Sequence, residues 1–242
     1  MKNGWGTVGV ALSVVLSAAL FSYAFRTRSR ANHEVTVVGS GTKNFEADLI
    51  SWTGHFTRKG TDLKETFNLL NADRERVRTF LVSKGAPEKD VVFSSIKIDK
   101  EFDDVRQKDG STSQKFSGYR LSQSVQIDST EVDKFERISR EISDLINAGV
   151  ELTSNTPEYF FTKLSELKIE MVAAATRDAH ERAVKIVENA GGHLGKLSHA
   201  ALGVFQITAQ NSSEEFSWKG SYNTASRRKT ATVTLRLEYE VD

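Results

Sequence analysis

The stretch RKTATVTLRLEYEV, residues 228–241, decides the fold class. Ala231, Val233, Leu235, Leu237, Tyr239 and Val241 alternate with Thr232, Thr234, Arg236, Glu238 and Glu240, so the segment from Arg227 to Val241 predicts a strand with one buried and one wet face. Residues 119–128 repeat the pattern: Tyr119, Leu121, Val125 and Ile127 stand against Arg120, Ser122, Ser124, Gln126 and Asp128. One-sided strands of this kind belong to antiparallel sheets.

Outward from these strands the period changes to that of helices. Leu63, Phe67, Leu70, Val77 and Leu81 fall at spacings that keep one helical face, which predicts a helix over 62–84 stopping at Gly85 before Pro87. A second helix is expected from about Thr130 to Asn147, presenting Val132, Phe135, Ile138, Ile142 and Leu145. A long alanine-rich helix runs from about Lys163 to Asn189 and closes at Gly191-Gly192. Further strands are expected at 35–38, 45–57, 91–102, 159–161 and 200–210, with a polar loop over 103–114. Within 45–57 the alternation switches phase at Leu49-Ile50, which predicts a bulge or burial of both faces. Helix, glycine stop, strand, polar loop and strand occur in that order from Asp62 to Asp128 and again from Lys163 to Val241. The expected fold is therefore α+β, with two helix–strand–strand units side by side and mainly antiparallel sheets.

The 242 residues carry 33 Lys+Arg against 32 Asp+Glu, a net +1, and this balance argues against a nucleic-acid binder. Its distribution is uneven. Residues 4–25 contain no charge; as a helix they span about 33 Å, enough for a hydrocarbon core of about 30 Å. Lys2 precedes this stretch and Arg26, Arg28 and Arg30 follow it. A cleaved signal peptide is the alternative, with Ser22-Tyr23-Ala24 as a small-x-small site, but the apolar stretch is longer than the usual signal core of about 7–15 residues. The expected organisation is an N-terminal transmembrane helix or uncleaved signal in residues 1–30 and a folded domain in 31–242. With those four basic residues set aside, the remainder carries −3. A strict charge count weakly favours a cytoplasmic body, by one charge.

No catalytic, metal or cofactor residue is expected. With no cysteine, thiolate sites and disulfides are excluded. Residues 35–41, VTVVGSG, lack the third glycine of a dinucleotide loop and lead into a strand, so Gly39 and Gly41 are read as residues that let a strand bend. Of His33, His55, His180, His193 and His199 only the last two are near one another in sequence, and both suit loop or strand-edge positions. Asp178, His180 and Glu181 point in different directions on a helix. The basic clusters Arg74/Arg76/Arg78 and Arg227-Arg228-Lys229 read as solvated surface. Trp5, Trp52 and Trp218 are dispersed and form no base-stacking ladder.

Taken together, EVTVVGSGTKNFEADLISWTGHF (34–56), GYRLSQSVQI (118–127), KLSELKIEMVAAATRDAHERAVKIVENAGGHLGKL (163–197) and RKTATVTLRLEYEV resemble the SIMPL domain family. The resemblance covers roughly residues 34–242. It implies a bacterial envelope protein at the inner membrane or in the periplasm, with its body extracytoplasmic, able to form large oligomers and in some members linked to envelope or oxidative stress. It supplies no catalytic residue. The expected function is a non-enzymatic, membrane-anchored envelope protein, touching the bilayer through residues 4–25 and copies of itself through strand edges, above all the clean final strand. The alternatives are a ligand-binding or enzymatic domain whose pocket uses Trp52, Tyr119 or Trp218, and a cytoplasm-facing scaffold.

Overall fold

The computed structural model describes residues 12–22, 34–107 and 112–242. Helix α1 (residues 12–22) is exposed along its whole length. Among the described residues no helix is long and apolar enough to cross a membrane. Residues 4–11 and 23–25 of the expected span, and its arginine flank, lie outside the described residues.

The body holds two antiparallel-dominated sheets, each with its own helical cover and its own core. The first contains β1 (Glu34–Glu46), β8 (Leu194–Leu202), β9 (Gln206–Ala209), β10 (Ser221–Tyr222) and β11 (Arg228–Val241), and packs on α4 (Leu164–Asn189). The second contains β2 (Leu49–Gly60), β3 (Val92–Phe93), β4 (Lys97–Arg106), β5 (Thr112–Ser129), β6 (Leu152–Ser154) and β7 (Glu158–Phe160). It packs on α2 (Leu63–Ser83) and on α3 (Val132–Glu141), which continues as a 3-10 turn over Ile142–Ile146.

Both units share one topology, which gives the sequence repeat its physical form. In the second sheet β2 leads to α2, then to the β4–β5 hairpin, and β5 lies between β2 and β4. In the first, β1, α4, β8 and β11 play the same parts, with β11 between β1 and β8. The difference is connectivity: the whole second unit is inserted between β1 and α4.

That insertion explains the phase switch at Leu49-Ile50. The chain leaves one sheet at Glu46 and enters the other at Leu49, so the switch marks a change of sheet and no bulge is needed there. Ala47 and Asp48 make the crossing, their N–H groups donating to the carbonyls of Arg227 and Phe160.

Gly39 and Gly41 do more than let a strand bend. Both are on the inward face of β1, directly under α4, and a Cβ on Gly39 would lie 2.3 Å from the Ala175 carbonyl oxygen and 2.5 Å from the Ala179 nitrogen. On Gly41 it would lie 2.5 Å from the Met171 carbonyl oxygen. Ala175, Ala179 and Ala183 are fully buried on the facing side of α4, so small residues on both elements bring helix and strand backbones together. Asp178, on the same helix, accepts the Ser40 N–H at 2.8 Å and pairs with Arg182; these contacts hold its carboxyl below the usual range.

Other boundaries shift for local reasons. The expected loop over 103–114 is largely strand, because β4 runs on to Arg106 and sets Phe102 opposite Phe116 and Asp103 opposite Lys115. The expected 91–102 strand is broken at 94–96, where the Ser94 hydroxyl accepts the Ser124 N–H and its carbonyl accepts the Gln123 amide. The 200–210 strand is likewise two strands, β8 and β9, which pair with successive parts of β11 around Gly203. On α2 the buried face is Thr66, Leu70, Asp73, Val77 and Leu81, while Leu63 and Phe67 are exposed.

Lys229, expected on the surface, is fully buried in β11. Its Nζ donates to the Asn223 carbonyl and lies 5.8 Å from the Tyr222 ring centre. Burial pushes this lysine down from 10.5 to about 8, against a smaller opposing pull from Glu214. Between those values the unfolded chain binds more protons than the folded one, so stability rises as pH increases through the window. The urea midpoint is expected to gain on going from pH 8 to pH 10 in the parent relative to Lys229→Met, which lacks the titrating amine. Equal pH dependence in the two chains would refute the assignment.

Candidate functional site

Most of the residues singled out by type serve the fold. Trp52 is a core residue whose indole donates to Ser154 Oγ at 3.0 Å, and Tyr119 packs against the same core. His55 meets the Asn155 amide at 3.2 Å, and His180 Nδ1 meets the Tyr239 hydroxyl at 3.2 Å. His193 and His199 are six residues of mostly extended chain apart, about 20 Å, so they do not form a site together. His33 lies outside the described residues. Among the described residues no group of three His, Asp or Glu side chains is placed to hold a metal ion.

The basic clusters are also spent inside the structure. Arg74 and Arg78 lie over the Phe93 ring at 4.9 and 5.6 Å, and Arg76 pairs with Asp73 at 2.8 Å. Arg227 joins the two units: it pairs with Asp133 and Glu136 of α3 and with Glu46 at the end of β1. Its hydrogen bond to Asp133 holds that carboxyl below the usual range. A cavity of about 620 Å³ opens at this junction, beside Asp48, Thr162 and Arg227. Asp48 is already engaged there, accepting both the N–H and the hydroxyl of Thr162.

The β4–β5 hairpin has a different character. Gly118, with φ of +153°, sits where the ladder slips between Glu101 and Phe102. A glycine is required there, both for that backbone angle and because a Cβ would lie 2.6 Å from the Gly60 carbonyl oxygen. The slip breaks the alternation on β5 and lets Phe116 turn onto Tyr119, ring centres 5.1 Å apart, while Phe102 packs on Phe116 at 5.9 Å. An aromatic ribbon thus runs from the core at Tyr119 out along the hairpin, where Phe102 is 50% and Phe116 42% exposed. Ile98 and Val105 add exposed apolar surface on β4. Among the described residues β4 has no strand on its outer edge.

The whole arrangement, from β1 to the end of β11, corresponds to a known family. Residues 35–239 match the family model SIMPL, protein of unknown function (DUF541). The chain belongs to the SIMPL family. Among curated proteins nothing matches it. The SIMPL match begins at the second residue of β1 and ends at Tyr239, and Val35 and Tyr239 face each other across the β1–β11 ladder. It therefore contains both SIMPL units and excludes α1.

The structure corrects one expectation about assembly. The final strand, expected to offer its edge to another subunit, is the centre of its sheet: β1 flanks its whole length on one side, and β8 and β9 share the other. Sequence reasoning read the strand's alternation correctly but took no account of neighbours far away in the chain. The exposed ribbon escaped it as well, because Phe102 and Phe116 flank a stretch read as a polar loop. The signal was there in Gly118, the glycine interrupting an otherwise continuous strand pattern.

Proposed function

We propose that this SIMPL protein is a non-enzymatic, membrane-anchored envelope protein whose extracytoplasmic body assembles with copies of itself through the β4–β5 hairpin. The observation that carries the reading is the aromatic ribbon on an unpaired edge strand. A half-exposed Phe pair continuous with a core is costly to leave in water, and an edge strand offers unpaired backbone groups to a like strand. A second copy supplies both an apolar face and a matching edge. Anchoring is supported by the uncharged run 4–25 and by α1, whose Leu12, Val15, Leu16, Leu20 and Phe21 are exposed.

Light scattering of the full chain in detergent is expected to give a mass of two or more bodies. The double substitution Phe102→Asp/Phe116→Asp is expected to return it to a monomer with unchanged circular dichroism, because both rings are already partly in water. A parent chain that stays monomeric over a wide concentration range would remove the proposal. The side of the membrane is read by fusing alkaline phosphatase or a fluorescent protein after Asp242; phosphatase activity is the expected outcome.

A further inference from the structure

Among the described residues the most exposed large hydrophobic side chain belongs to the other sheet's connections, between β9 and β10. Trp218 is 96% exposed, although the segment that carries it is firmly built. Gln206, buried at the root of that segment, donates through Nε2 to the Ser217 carbonyl at 2.6 Å. Its Oε1 accepts the Ser217 N–H at 3.2 Å and the Ser221 hydroxyl at 2.9 Å. The Gly220 N–H returns to the Ser217 carbonyl at 3.0 Å, and Gly220 holds φ at +86°, so Trp218 and Lys219 occupy the centre of a closed turn. Farther along, Glu214 accepts the Ala209 N–H and the Asn223 amide, which tie the segment back to β9. The turn that carries the indole is thus ordered before any ligand arrives, which lowers the backbone ordering cost of binding.

Beside it lies a cleft of about 310 Å³, the small end of the range for ligand sites. Its walls include Phe216, Trp218 and Val204 on the apolar side and Ser217, Thr232 and Thr234 on the polar side; among the described residues no charged side chain lines it. The Thr232 and Thr234 hydroxyls are two residues apart on the outer face of β11, and among the described residues neither has a hydrogen-bond partner.

We infer that this cleft binds a neutral, ring-shaped polyhydroxyl compound, a saccharide unit, stacked on Trp218 and hydrogen-bonded by Thr232 and Thr234. The chemistry selects against the other classes. An ionic ligand finds no counter-charge in the lining. A flat aromatic or an acyl chain would cover Trp218 but strip water from the hydroxyls and return no hydrogen bond, a loss borne by each hydroxyl. A sugar ring offers both an apolar C–H face and hydroxyls at its rim. A free saccharide and one carried in a polymer present the same ring.

The test uses the full chain in nanodiscs, labelled with 5-fluorotryptophan, the Trp218 fluorine signal being assigned by its loss in Trp218→Phe. The probes are maltotriose, N,N′,N″-triacetylchitotriose, fully deacetylated chitotriose, indole and phosphatidylcholine vesicles. A neutral trisaccharide is expected to shift the Trp218 signal saturably and to leave the buried Trp52 signal in place. Trp218→Ala is expected to weaken binding at least tenfold, and Thr232→Val or Thr234→Val several-fold each, with circular dichroism unchanged. Co-sedimentation with insoluble chitin or starch then separates a polymer-bound from a free saccharide. The inference is overturned if neither neutral trisaccharide nor polymer binds, if indole, vesicles or the cationic sugar bind better, or if Trp218→Ala binds as the parent does.

Discussion

Gly39→Ala is expected to destabilise the body by about 3 kcal/mol, the upper end of the usual cost of overpacking. Local preference predicts the opposite sign, because glycine weakens a strand interior and alanine restores some of the lost order. The tertiary contact wins because the added methyl meets the Ala175 carbonyl oxygen at 2.3 Å and the Ala179 nitrogen at 2.5 Å. These are backbone atoms of a hydrogen-bonded helix, so no rotamer change makes room. Moving α4 away would open the packing around Leu167, Met171 and Val187, which are nearly fully buried along the same face. Removing the facing methyl by Ala179→Gly is accordingly expected to give no rescue. Ser40→Ala, one residue along and on the outward face, is expected to change stability by less than about 0.5 kcal/mol. Chemical unfolding followed by circular dichroism measures all four chains. A Gly39→Ala midpoint equal to or above the parent's would show that β1 and α4 are not in this register.

Asp73→Ala comes next in expected size. Asp73 is fully buried on α2 and accepts from Arg58 Nη2 at 2.8 Å and from Arg76 Nη1 at 2.8 Å, with Arg58 Nε closing the bidentate pair. Arg58 also donates to the Gly149 carbonyl at 2.6 Å, so one guanidinium ties β2 to α2 and to the turn after α3. The contact with Asp73 raises the Arg58 pKa further above its ordinary value. Removing one partner of a buried pair strands the other charge, at a cost of about 3–5 kcal/mol. Arg58 and Arg76 retain some access to water, so the lower end, about 3 kcal/mol, is expected. The double replacement Arg58→Met/Asp73→Leu is expected to recover most of that loss, because no buried charge is left unpaired. By contrast, breaking the exposed Lys185–Glu188 pair is expected to cost no more than about 0.5 kcal/mol. An Asp73→Ala chain with the parent's unfolding midpoint would show that the pair contributes little.

These two positions also mark the limit of what the residue pattern conveys. Val77 and Leu81 were legible as a buried face because helical period is a local property of the chain. Asp73 shares that face but its type does not reveal it, since an aspartate is buried only when a particular arginine elsewhere in the chain reaches it. Gly39 and Gly41 were visible as glycines; their purpose depended on α4, more than 120 residues away in sequence. The candidate hairpin was less legible still. Residues 103–114 read as a polar loop, and the two Phe residues come together only because the β-ladder slips at Gly118.

The sequence by itself determined most of the element types, the strict alternation of β11, the alanine-faced helix and the absence of thiol chemistry, because these follow from composition and from contacts a few residues long. It also determined that the apolar run at the amino terminus stands apart from the mildly acidic remainder. Only the tertiary structure decided that β11 is a central strand, that one unit is inserted into the other, that Lys229 is buried and that Trp218 is presented beside an uncharged cleft. Each of those depends on which distant segment fills the space beside a residue. Burial, pairing and exposure are properties of that neighbourhood, and it exists only once the chain has closed on itself.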